Sequence, residues 1–199
     1  MNVLLDTFPT KIEINNKIYN IDSDFRNCLK IILAFEDPEL TLMEKTYIMC
    51  NLLYDDEIPE EEQEEACKQA VKFLDCGEEH KEDFSENQDG TRLYSFTKDA
   101  KYIYNAIKLT HKIDLETIDY MHWWKFVYMF LDLDKDCFFN QILYLRRQMS
   151  KGKLTKEEKQ TWVEMRKILD LNYEEEQEES EFEILLKSGG NNEKQNKNC

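Results

Sequence analysis

The chain has 199 residues, with 42 acidic side chains against 26 basic ones and a formal net charge of −16. Hydrophobic residues make up 41% and aromatic residues 12%, with only 5 glycines and 3 prolines. That is enough apolar material for one packed domain, too few turn residues for a many-stranded β fold, and the wrong charge for gripping a phosphate backbone.

The first six residues, Met1 to Asp6, carry no positive charge and no long apolar run, so they do not read as a signal peptide. Apolar stretches such as Ile31 to Phe35 and Phe126 to Leu131 hold five and six residues, far short of the ~20 needed to cross a bilayer. The expectation is a cytoplasmic protein with reduced thiols. Its six cysteines (28, 50, 67, 76, 137 and 199) lie no closer than nine residues apart and form no dense disulfide frame.

The expected fold is mainly α: a compact domain of about six helices over residues 1–171 with a short N-terminal β-hairpin. Lys11 to Ile14 and Lys17 to Ile21 alternate in polarity around Asn15-Asn16, and asparagine tolerates the positive φ of a two-residue turn. Residues 3–8 are a candidate third strand. Asp22 or Ser23 can cap a helix carrying Phe25, Cys28, Leu29 and Ile32, which Pro38 ends. Thr41 and Glu44 form a capping box for a helix carrying Leu42, Ile48, Met49, Leu52 and Leu53. Pro59 precedes an acidic first turn, a favourable place for Glu60 to Glu62, and that helix buries Ala66, Cys67, Ala70, Val71, Phe73 and Leu74. Gly77 stops it.

Periodicity vanishes over residues 78–92, which read as a mobile loop. Thr97 starts a helix with Ala100, Ile103, Tyr104 and Ile107 on one face. Residues 118–131 are apolar on nearly every side, as a helix at the centre of a bundle is. One further helix carries Phe138, Ile142, Leu145 and Met149. Another opens with the box Thr155 and Glu158 and carries Trp162, Met165, Ile168 and Leu169. Residues 172–199 read as an acidic, polar, disordered tail containing one short acidic-apolar segment, Glu181 to Leu186.

Candidate chemistry is sparse. Cys67, Cys76 and His80 come nearest to a metal-ligand grouping, but the two cysteines read as buried thiols on opposite faces of one helix. His80 and His111 sit at segment ends, and His122, beside Met121 and Trp123, reads as a hydrogen-bonded core or edge histidine. No glycine-rich phosphate loop is present, and the acidic clusters lie exposed at helix starts. Residues 146–167 hold eight basic and three acidic side chains. They read as solvated helix ends, because no aromatic residue but Trp162 is interleaved for base stacking. No catalytic, metal or cofactor residue is expected, and the chain does not read as an enzyme.

Several short motifs occur in a specific order: Ile21-Asp22-Ser23-Asp24-Phe25-Arg26, then Glu36-Asp37-Pro38-Glu39-Leu40, then Tyr94-Ser95-Phe96 with Asp99-Ala100-Lys101-Tyr102-Ile103-Tyr104. Ile113-Asp114-Leu115 and His122-Trp123-Trp124-Lys125-Phe126 complete the series. Over roughly residues 3–171 the chain resembles the bacteriophage "gene product fifteen" family of tailed phages and prophages of Gram-positive bacteria. The resemblance implies a phage tail-morphogenesis role in the host cell cytoplasm, similar by gene position to tail assembly chaperones. Such chaperones hold the tape measure protein soluble while tube subunits polymerise around it.

The aromatic surplus of Trp123, Trp124, Phe126, Tyr128 and Phe130 then has two readings. It is partly an apolar groove for the amphipathic helices of a tape measure protein, or it is the domain core. Two rival functions remain open. One is a structural tail component retained in the virion. The other is an acidic DNA mimic or host inhibitor, although 15 of the 42 acids fall in residues 55–65 and 174–183 instead of spreading over a face.

Overall fold

The computed structural model describes residues 2–78 and 92–173. Most of the expected loop, the tail from residue 174, His80 and Cys199 lie outside the described residues. Strands β1 (Lys11–Ile14) and β2 (Lys17–Asn20) pair antiparallel, with Lys11 opposite Asn20 and Ile14 opposite Lys17. Asn15 and Asn16 between them have φ of 47° and 65°, the left-handed pair that a primed turn requires. Alternation turns Ile12 and Ile14 inward, and β1 packs on the third helix.

Residues 3–8 do not form the expected third strand. The amides of Leu5 and Asp6 both donate to the Asn2 carbonyl, and the Asp6 carboxylate accepts from the Asn2 amide at 2.7 Å. These local bonds hold the segment in a turn and leave Leu4 and Leu5 exposed.

Helix α1 (Phe25–Glu36) is capped by Asp24 and not by Asp22 or Ser23. The Asp24 carboxylate accepts from the Arg26 amide at 2.9 Å and from the Met121 amide at 3.2 Å, so a long-range partner settles which acid caps. The capping box of α2 (Leu42–Leu53) forms in both directions, Thr41 amide to Glu44 at 2.8 Å and Glu44 amide to Thr41 at 3.3 Å. A single 3-10 turn, Glu60–Glu62, leads into α3 (Gln63–Leu74). Helix α2 packs between α1 and α3. Buried Ala66 and Ala70 on α3 leave room for close approach.

Helix α3 ends at Leu74 in a Schellman motif: the Cys76 amide donates to the Phe73 carbonyl and the Gly77 amide to the Lys72 carbonyl. Cys76 (φ 58°) and Gly77 (φ 79°) are both left-handed. The expectation that Cys67 and Cys76 share one helix is therefore corrected.

The second half consists of α4 (Ala100–His111), α5 (Trp123–Leu131), α6 (Phe138–Ser150), α7 (Lys156–Glu164) and α8 (Arg166–Leu169). Helix α5 is shorter than the apolar run over 118–131. Residues 121–123 instead run alongside the start of α1, with the Phe25 amide on the Met121 carbonyl (2.9 Å) and the Trp123 amide on the Ser23 carbonyl (2.8 Å). The inward face of α6 is Phe139, Ile142 and Arg146, while Phe138 and Met149 are exposed. The final helix breaks at Met165 (φ −108°) into α7 and α8.

Arg146 departs from the reading of residues 146–167 as solvated. Its guanidinium is buried against the Asp99 carboxylate and also donates to the carbonyls of Leu93, Ile168 and Leu169. Those acceptors, from the segment leading into α4 and from α8, satisfy the buried cation that α6 carries.

Candidate partner-binding surface

The five aromatic residues of α5 divide by burial. Trp123, Trp124 and Phe126 are buried, and Tyr128 and Phe130 are half-buried. The two indole N–H groups donate to adjacent carbonyls at the end of α3, Trp123 to Leu74 and Trp124 to Phe73, each at 2.8 Å. Both tryptophans therefore serve as caps for a neighbouring helix, supplying donors to carbonyls that lack a partner within it. Phe126 stacks on Phe25 at 4.9 Å, and Phe130 packs on Tyr94, Phe96 and Phe139. Trp123, Trp124 and Phe126 are thus part of the interior packing, and Tyr128 and Phe130 lie at its edge.

His122 caps α5. Its Nδ1 accepts from the Trp124 amide at 3.0 Å, which leaves Nε2 to donate to the Pro9 carbonyl at 3.0 Å. Burial lowers its pKa, favouring this neutral, doubly bonded ring. His111 is bonded to the Met129 carbonyl at 2.8 Å. Both imidazoles are tied to backbone groups.

Three of the thiols are held in the protonated form. Burial pushes Cys50 and Cys76 up to about 12 and raises Cys28 further, which keeps all three protonated at neutral pH. Cys50 on α2 and Cys67 on α3 stand 3.5 Å apart. Among the described residues, no three His, Cys, Asp or Glu side chains are placed to hold a metal ion.

The open apolar surface lies on α2. Leu42, Met43 and Tyr47 are 74%, 82% and 71% exposed, while Met49 and Leu53 on the opposite side are buried. Together with Cys50 and Tyr54 they line a cleft of about 870 Å³ between α2 and the segment leading into α3. Asp55, Asp56 and Glu57 stand exposed at its rim. Reading Leu42 as a buried position missed this face. The available signal was composition: eight of the twelve α2 residues are apolar, aromatic or Cys, more than one buried stripe holds.

A sequence comparison matches residues 4–171 to the family described as Bacteriophage Gp15 protein. The chain belongs to this family. No curated protein sequence and no solved structure matches it. Membership makes the chain a phage structural or morphogenesis protein, whose partners are other phage proteins. Among the described residues, no helix is long and apolar enough to cross a membrane. The family match covers every described helix, including α2 with its exposed face.

Proposed function

We propose that this Gp15-family chain is a non-enzymatic tail-assembly chaperone that binds the tape measure protein in the host cytoplasm and is absent from the finished particle. The observation that carries the reading is the exposed apolar face of α2, where three large side chains stay in solvent on a helix whose other side is anchored in the core. Contiguous apolar surface of this kind marks an interaction site. A chaperone of long amphipathic helices needs such a face, together with charge to keep the complex soluble, and −16 supplies that charge.

The test is mass spectrometry of induced lysate and of purified particles, with tail tube peptides as the internal standard. Abundance in lysate with loss from particles, together with co-purification of the tape measure protein, supports the chaperone. Stoichiometric retention in particles makes the chain a structural tail component instead.

A further inference from the structure

We infer that the cleft along α2 is a docking site for one basic, amphipathic helix of a partner protein, lying along α2 with its positive residues at the Asp55–Glu57 end. The inference rests on the chaperone reading for the identity of the partner but on the cleft itself for its chemistry.

Three observations fix the occupant. The first is shape. Met43, Tyr47 and Cys50 succeed one another at intervals of four and three along α2, so they form one stripe on one helical face. Met43 and Tyr47 are exposed and Cys50 is half-buried, with the buried Tyr54 just beyond the helix as the floor. Twelve residues span about 18 Å at 1.5 Å per residue, the length of a three-turn partner helix. Apolar side chains at i, i+3, i+4 and i+7 on that partner would fill the stripe.

The second is charge. Asp55, Asp56 and Glu57 follow the C-terminus of α2 directly and are exposed. Among the described residues, no cation lies within ion-pair distance of any of them, and Lys17, the cation whose charge Asp56 influences, is bonded to the Tyr19 hydroxyl instead. The helix end adds its own negative partial charge at the same place, and the exposed Glu60 and Glu61 follow. The field at this end attracts Lys or Arg.

The third is what the charge excludes. A second copy that met this cleft with its own would bring the same acidic rim, Asp55 to Glu57, against it. So does the chain's own acidic-apolar segment, Glu181 to Leu186, with two glutamates in six residues. Like charges across a contact are unfavourable, so self-occupancy is disfavoured on both routes.

The probe is a fluorescein-labelled 18-residue peptide of leucine and lysine at amphipathic helical spacing, titrated into the full-length protein by anisotropy. Control peptides replace lysine by glutamate or scramble the spacing. The expected result is binding of the lysine peptide at least tenfold tighter than either control. That binding should weaken at least tenfold in Met43→Ser/Tyr47→Ser and weaken with salt. Asp55→Asn/Asp56→Asn/Glu57→Gln should lose most of the salt dependence. Both variants change exposed side chains, and circular dichroism and melting temperature check that they fold.

Equal binding of the lysine and glutamate peptides, or no change in the α2 variant, overturns the proposal. Tighter binding in Phe182→Ser/Ile184→Ser means that the tail occupies the cleft, and a dimer lost on Met43→Ser means that a second copy does; either overturns it. Co-purification with the tape measure protein separates this inference from the function. If the α2 variant still retains the tape measure protein, the chaperone stands and the cleft assignment falls. If the lysine peptide binds as expected but the wild type captures no tape measure protein, the cleft stands and the chaperone falls.

Discussion

Arg146 forks onto Asp99 with both side chains buried, Nη1 to Oδ2 at 2.6 Å and Nη2 to Oδ1 at 2.9 Å. Asp99 also accepts from the Ser95 amide at 3.0 Å, so its oxygens are shared between the α4 cap region and α6. Removing one partner strands the other charge. Asp99→Leu should destabilise the fold by about 3–5 kcal/mol, because an unpaired buried guanidinium remains. Asp99→Leu/Arg146→Met should recover much of that loss. Urea unfolding of the three proteins decides it: a single-mutant loss below about 1 kcal/mol means the pair is not what holds α8 against α4 and α6.

How much of this was legible in the sequence depends on the distance between partners along the chain. The Asn15-Asn16 turn and the boxes Thr41/Glu44 and Thr155/Glu158 are encoded within four residues, and each forms in the structure as read. Asp24 as the α1 cap, the Met121–Trp123 run beside α1, and Arg146 as a buried ion rely on partners 47 to 100 residues away. Nothing in local spacing points to those partners. The aromatic run of α5 announced an apolar segment, but not that its two indoles would cap α3. The exposed side of α2 stayed hidden because a leucine at helical spacing is assumed to be buried, and only the packing geometry shows which stripe faces out.

Gly77 and Trp124 form a second tight relation. A Cβ built on Gly77 would lie 3.1 Å from the Trp124 ring, and φ there is +79°. Both the backbone and the contact disfavour a side chain, so Gly77→Ala should cost about 1–2 kcal/mol. Trp124→Phe keeps most of the ring but removes the indole donor from the Phe73 carbonyl, which retains the Cys76 amide, at about 0.5–1.5 kcal/mol. Thermal melts of each single variant and the double variant should show sub-additive losses, since both act on the same end of α3. Full additivity would separate the two effects.

Cys50 and Cys67 offer a chemical readout of the α2–α3 contact. Burial and the neighbouring Cys67 thiol push Cys50 up to about 12, so almost no thiolate exists at pH 7.5. Iodoacetamide should label Cys50 in the folded protein at least tenfold more slowly than in urea. Labelling should speed up with pH well beyond pH 9, where an ordinary thiol has levelled off. Fast labelling at neutral pH would mean that α2 opens away from α3 in solution.

Asp114 is the residue through which acid should loosen the turn after α4. Lys108 (2.6 Å) and the Tyr104 hydroxyl (2.6 Å) bond to its carboxylate, with the Glu116 amide at 3.1 Å, and together they hold it at about 2. All three contacts favour the ionised form, and the turn they brace contains Lys112 in the left-handed region at φ 58°. A carboxyl depressed in the folded state stabilises that state whenever it is ionised in both states, above its unfolded value of about 3.9. The contribution falls as pH drops through the window from about 4 to 2, and below that it is gone. Asp114→Asn should therefore lower the urea midpoint at pH 6. Its deficit relative to wild type should shrink at pH 3 and close near pH 2. A deficit constant from pH 6 to pH 2 would show that the side chain acts through its neutral hydrogen bonds, and that the Lys108 contact contributes no charge-dependent stability.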